Sequence, residues 1–136
     1  SDEELWEALK VAQLGTVVRS LEERILENGE NYSAGQRQLF CLARAFLKRT
    51  RILCLDEATA SVDQDTDAIL QTLLRTSFSG CTIITVAHRI STILDYDKVL
   101  VLGNGRVLEY GSPSVLLKST SAFQSLVEAM DKQSGE

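Results

Sequence analysis

Two short apolar runs set the tightest limit on what this chain can fold into. Ile52-Leu53-Cys54-Leu55 ends in Asp56-Glu57, and Thr82-Ile83-Ile84-Thr85-Val86 ends at Ala87-His88. Runs of this length, bounded by polar residues, have the pattern of strands buried on both faces of a sheet. Between them, from Asp65 to Phe78, Ile69, Leu70, Leu73 and Leu74 recur at helical spacing. Strand, helix, strand predicts a right-handed parallel crossover, which points both strand ends at one edge.

The flanking segments fit around that unit. Asp2 to Leu14 places Leu5, Trp6, Leu9 and Ala12 on one helical stripe, with Asp2, Glu3 and Glu4 at its positive end. From Gly15 to Asn31 acids accumulate and Asn28-Gly29 signals a turn, so a short helix followed by an exposed loop is expected. Ser33 and Gln36 form a capping-box pattern ahead of a strong helix that faces inward with Leu39, Leu42, Ala43, Phe46 and Leu47. Val99 to Leu102 and Arg106 to Tyr110 flank Gly103-Asn104-Gly105, a hairpin signal. Ser112 to Met130 reads as two short helices, the second with Phe123, Leu126 and Val127 inward, and Asp131 to Glu136 as a frayed tail.

Composition narrows the function. With 136 residues, 44% of them hydrophobic, the chain can build one core, and no apolar stretch approaches the roughly 18 residues of a membrane span. Nor does the N-terminus have signal-peptide character. A net charge of −5 repels polyanions, so nucleic acid is not expected as a partner. The basic cluster Arg44, Lys48, Arg49 and Arg51 is better explained as cations complementing a helix C-terminus. Cys41, Cys54 and Cys81 are odd in number, widely spaced and far from the single His88, which points to reduced, mostly buried thiols.

Four groups carry candidate chemistry or contacts. Beyond the carboxyl end of a strand, Asp56 is placed to hold Mg²⁺ through its water shell while Glu57 orients or deprotonates an attacking water. An isolated Asp-Glu pair is otherwise just a polar strand end. In Tyr32-Ser33-Ala34-Gly35-Gln36 a hydroxyl and a glycine backbone meet the positive end of a helix, suited to a terminal phosphate or simply to an N-cap. His88 can bond a γ-phosphate oxygen, although a lone histidine is more often structural. Ser61-Val62-Asp63 can cap the next helix or touch a partner across a dimer interface.

Taken together, these segments resemble the ATP-binding-cassette family. Tyr32-Ser33-Ala34-Gly35-Gln36 is similar to the start of its signature motif, Ile52 to Glu57 to the Walker B strand with the catalytic glutamate, Ser61-Val62-Asp63 to the D-loop and His88 to the H-loop. The longer strings Gly35-Gln36-Arg37-Gln38-Leu39-Phe40-Cys41-Leu42-Ala43-Arg44-Ala45 and Asp56-Glu57-Ala58-Thr59-Ala60-Ser61-Val62-Asp63 resemble the second nucleotide-binding domain of multidrug-resistance-associated transporters, the C branch. No Gly-x-x-x-x-Gly-Lys-Ser/Thr string occurs, so the expectation is a C-terminal part that lacks the phosphate-binding loop.

The resemblance implies an α/β fold: part of a RecA-like P-loop core, a parallel sheet with flanking helices, plus part of the helical subdomain. Three strands of the parallel sheet are expected. Residues 1–50 would be the helical-subdomain segment with the signature helix, and 51–136 the C-terminal half of the core with C-terminal helices. ATP and Mg²⁺ are the implied cofactors. The implied partners are the first nucleotide-binding domain, paired head to tail, and transmembrane domains, with this segment on the cytoplasmic side of a membrane transporter. Asp56, Glu57 and His88 would then serve the domain's own nucleotide, and Ser33, Ala34, Gly35 and Gln36 the one held by the partner. Ser61 and Asp63 would make dimer contacts. Two departures stand out: Ala34 for the usual glycine, costing clearance and restricting φ, and Tyr32 for the common leucine. Export driven by ATP hydrolysis is the leading function. An ATP-gated regulator or channel subunit of the same branch, and a soluble cassette ATPase acting on DNA or ribosomes, are the alternatives.

Overall fold

The computed structural model describes residues 1–56, 62–86, 93–118 and 120–134, with their side chains as far as residue 129. The chain divides into two units, Ser1–Val86 and Ala87–Glu136.

In the first unit Ser1 caps helix α1 (Asp2–Val11), its hydroxyl accepting from the Glu4 amide at 3.4 Å. The helix stops before Leu14 because Gln13 turns left-handed at φ 55° and the Leu14 amide reaches back to the Leu9 carbonyl at 2.8 Å. That ending folds Leu14 into the core, where it is fully buried beside Ala8, Leu9 and Ala12, while Leu5 stays exposed. The short helix expected after Gly15 is absent. Residues 15–26 form turns, followed by a single 3₁₀ turn at Glu27–Gly29. Asn31 explains part of this, since its side chain accepts from the Leu26 amide at 3.1 Å and donates to the Arg24 carbonyl at 3.3 Å, taking up bonds a helix would make.

Helix α2 (Ala34–Leu47) buries Leu39, Leu42 and Ala43, and Phe46 meets Phe78 edge to face at 6.5 Å, while Leu47 is exposed at the helix end. Strand β1 (Ile52–Asp56) pairs in parallel with β2 (Thr82–Val86), in register from Ile52 opposite Thr82 to Asp56 opposite Val86, with α3 (Gln64–Thr76) between them in sequence. Leu53, Leu55 and Ile83 pack into one core with Leu39, Leu42, Leu70, Leu73, Leu74 and Phe78.

Among the described residues only one face of this sheet is covered, which corrects the expectation of strands buried on both sides. Side chains alternate across a strand, so Ile52, Ile84 and Val86 turn away from the helices and remain 60%, 56% and 55% exposed. Cys54 shares that face, Cys41 is also exposed, and Cys81 is half-buried with its thiol donating to the Thr50 carbonyl at 2.8 Å. The thiols are therefore not mostly buried. Nor is a third parallel strand present among the described residues, because the remaining two pair antiparallel.

Those two strands, β3 (Val99–Gly103) and β4 (Arg106–Gly111), form the hairpin of the second unit. Asn104 and Gly105, at φ 51° and 72°, make the two-residue turn, the conformation an Asn-Gly pair favours. The register shifts from Val101 opposite Glu109 to Leu102 opposite Val107, so Leu108 is an extra residue in β4. That bulge changes the alternation and brings Glu109, instead of Leu108, to the side of buried Val101. A short helix α4 (Pro113–Leu116) precedes α5 (Ala122–Ser134), whose first amides are held by the Glu109 carboxylate: it accepts from Ala122 at 2.7 Å and from Phe123 at 3.0 Å. Phe123 is buried as expected, Val127 is half-buried, and Leu126 is exposed instead of inward. The helix continues to Ser134, through most of the stretch expected to fray.

Glu109→Ala should remove two charge-assisted hydrogen bonds and cost α5 about 1.5–3 kcal/mol. Hydrogen exchange at the Ala122 and Phe123 amides should quicken by roughly 10- to 100-fold.

Candidate functional site

The N-terminal end of α2 is held from both sides. Before it, Asn28 and Gly29 turn left-handed at φ 55° and 69°, and Arg37 reaches back from the helix to donate to the Tyr32 carbonyl at 2.9 Å and the Gly29 carbonyl at 3.4 Å. Tyr32 is buried, with its ring edge-on to Phe40 at 4.8 Å. Burial first, and Glu23 beside it second, raise its hydroxyl above the ordinary tyrosine range. The aromatic residue at this position is thus a core side chain that anchors the turn leading into the helix.

Ser33 and Gln36 form the expected capping box. The Ser33 hydroxyl accepts from the Gln36 amide at 3.1 Å, and the Gln36 side-chain oxygen accepts from the Ser33 amide at 2.9 Å. These bonds fix what each group has left to offer. A serine hydroxyl that accepts can still donate its own hydrogen, and an amide whose oxygen is engaged keeps two N–H donors. The Ser33 carbonyl takes the Arg37 amide at 2.9 Å, so the orphan N–H groups left at the helix end are those of Ala34 and Gly35. Ser33 is exposed, Ala34 and Gln36 are half-buried, and Gly35 is buried. Ala34 is the first helical residue and is not among the left-handed positions, so its methyl group introduces no backbone strain.

Asp56 closes β1, exposed, opposite Val86. Both strands run toward this edge, from which the chain continues to Glu57 and to Ala87 and His88. Glu57, Ser61 and His88 lie outside the described residues.

Asp63 is the N-cap of α3. Its carboxylate accepts from the Thr66 amide at 2.9 Å and from the Thr66 hydroxyl at 2.8 Å. The Thr66 amide bond is the main reason, and the hydroxyl bond the next, that the Asp63 carboxyl titrates below the usual aspartate range. Thr66 in turn lies against Gly35: a Cβ placed on that glycine would come within 2.5 Å of the Thr66 methyl carbon. The structure therefore brings Gly35 of the α2 end and Asp63 of the turn before α3 onto one side chain. Neither Thr66 nor Arg37 stands out in the sequence by residue type. The Asp63-x-x-Thr66 spacing is a cap pattern that points to the first, while Arg37 carries no local signal.

Chemically, this is an array of donors at the positive end of a 14-residue helix and a free carboxylate at the end of a parallel strand. A single hard oxygen donor fits Mg²⁺, which keeps several waters and is bound by one or two carboxylates together with substrate phosphates. Among the described residues no three His, Cys, Asp or Glu side chains gather into a cage for a metal.

Residues 1–60 match the family model described as ABC transporter. The chain is 52% identical over 127 residues to rat ATP-binding cassette sub-family C member 2, covering 90% of this chain and 8% of the rat protein. It is 54% identical over 127 residues to ABC transporter C family member 5 of Arabidopsis thaliana, with the same coverage, and 50% identical over 139 residues to member 13 of rice, covering 98% of this chain and 9% of that protein. It thus spans less than a tenth of the length of these relatives.

The depressed Asp63 pKa fixes the sign of a pH effect. A carboxylate whose folded pKa lies below its unfolded value contributes fully above about pH 3.9, and the contribution disappears as pH falls through the folded value. The Thr66 amide resonance should therefore stay unchanged from neutral pH down to about 4 and shift only in stronger acid. In Asp63→Asn, which keeps an N-cap acceptor, that acid-induced shift should vanish.

Proposed function

Because this chain belongs to the C family of ABC transporters, as part of a nucleotide-binding domain, we propose that it is the C-terminal part of the second such domain of a solute exporter driven by ATP hydrolysis. The observation that carries this reading is the reciprocal capping box at Ser33 and Gln36, which leaves the Ser33 hydroxyl hydrogen and the Gln36 amide donors free at a helix N-terminus. Phosphate oxygens accept hydrogen bonds and donate none, so they are the natural complement of that end.

In this reading Ser33, Ala34, Gly35 and Gln36 meet the terminal phosphate of ATP held by the first nucleotide-binding domain, paired head to tail with this one. Asp56 belongs to the domain's own site, where its exposed carboxylate at the end of β1 would hold Mg²⁺ through its water shell. Bound Mg²⁺ supplies charge neutralisation for the phosphates. Glu57 accepts the proton of the attacking water and His88 donates to the γ-phosphate, which requires its imidazole to carry a proton on the nitrogen that faces the phosphate. Ser61 and Asp63 lie along the pairing surface. ATP binding closes the two domains, hydrolysis reopens them, and transmembrane domains of the same protein convert that cycle into solute movement from the cytoplasmic side. No helix among the described residues is long and apolar enough to cross a membrane, so those spans would lie elsewhere in the protein.

The test is Glu57→Gln in the complete transporter, reconstituted in vesicles. ATP turnover should fall by about 10²-fold or more, the scale for losing a positioned general base, while ATP binding persists. Turnover at the wild-type rate would remove Glu57 from the chemistry and with it the hydrolytic reading.

A further inference from the structure

Gly35 has no room for a side chain, and the obstacle lies within the same unit. A Cβ built there would sit 2.5 Å from Thr66 Cγ2, 3.1 Å from its Cβ and 3.2 Å from its Oγ1. Thr66 cannot easily turn aside. It is β-branched, which makes its first side-chain torsion stiff, and its hydroxyl is bonded to the Asp63 carboxylate at 2.8 Å while its amide is bonded to the same carboxylate at 2.9 Å. Swinging the methyl away would break the hydroxyl bond, so Asp63 locks the rotamer that presses on Gly35.

We propose that Thr66 is a positioning residue for the nucleotide-facing end of α2, seating its methyl group on Gly35, and that position 35 must be glycine because of Thr66 and not because of the phosphate. The inference rests on the reading that Ser33 to Gln36 meet nucleotide. Asp63 fixes Thr66, Thr66 fixes the height of the α2 end, and that height sets how far the Ser33 hydroxyl and the Gln36 amide reach. A shift of the turn that ends at Asp63 then passes directly to the donors on either side of the contact, Ser33 and Gln36.

The two explanations of Gly35 separate in a double-mutant cycle measured in the complete transporter, reading KM for ATP, kcat and thermal unfolding. Gly35→Ala should raise KM about tenfold, well within the loss that an ångström of misplacement can cause. Thr66→Ser removes Cγ2 but keeps the hydroxyl for Asp63, and alone should raise KM about two- to threefold. The double variant should return most of the way to the Thr66→Ser value, because the worst contact, at 2.5 Å, is gone and those left, 3.1 Å to Cβ and 3.2 Å to Oγ1, ask for only a small shift. A double variant as impaired as Gly35→Ala would overturn the proposal, since the obstruction would lie on the nucleotide side. So would a fall in kcat and unfolding temperature with KM unchanged, which is what simple loss of α3 stability produces. If Gly35→Ala does not accumulate as folded protein, recovery in the double variant supports the contact and its absence rejects it. Ser33→Ala serves as the reference: a raised KM there, with no rescue in the cycle, rejects only the Thr66 inference, whereas an unchanged KM rejects the nucleotide reading and the positioning role together.

Discussion

Parallel pairing between Ile52–Asp56 and Thr82–Val86 is the constraint on which the rest of the first unit depends. A parallel pair cannot be closed by a tight turn, so the chain needs a crossover, and α3 supplies it. Once α3 lies over the sheet, its N-terminus must follow closely on the end of β1, and Asp63 caps it there. The same packing places Thr66 under Gly35, so the position of the α2 end follows from the strand pairing through two short contacts. Asp56 stands at the open end of the pair because the strand runs out of apolar residues at that point.

Helix ends recur as the places where polar chemistry is settled. α1 begins on Ser1, α2 on Ser33, α3 on Asp63, and α5 on the Glu109 carboxylate contributed by a strand. The first three are local, within one turn of the cap, and all three are readable as short spacings in the sequence. The last spans thirteen residues and depends on the hairpin register. Among the described helix ends only that of α2 leaves an exposed serine with donor capacity in reserve beside a half-buried amide, which is the ground for proposing it as the binding element.

This difference in range also explains what the sequence made legible. The strands, the crossover helix, the capping box at Ser33 and the Asn104-Gly105 turn follow from periodicity and turn chemistry, which act over a few residues. The early stop of α1 at Gln13 does not, because nothing in the side chain of glutamine demands a left-handed turn; the gain is burial of Leu14. The exposure of Ile52, Ile84 and Val86 among the described residues was equally hidden, because an apolar side chain reads the same in sequence whether or not its face of the sheet is covered. Leu126 shows the limit of helical spacing, since a stripe one residue too wide looks the same as one that fits. Of the candidate site, Ser33, Gly35 and Gln36 came from motif and cap, whereas the contact of Thr66 with Gly35 required three-dimensional proximity between residues 31 positions apart.

The bulge at Leu108 has a consequence for how this hairpin can change. Leu108 is exposed, so many side chains would be tolerated there. Deleting it would leave Glu109 directly after Val107 and so still opposite Val101, whereas closing the bulge with Leu108 in place would pair Leu108 with Val101, turn Glu109 outward and take from α5 the acceptor for its first amides. At this position the pairing register is under tighter constraint than the identity or the number of the residues that fill the bulge, because it alone decides which way Glu109 faces.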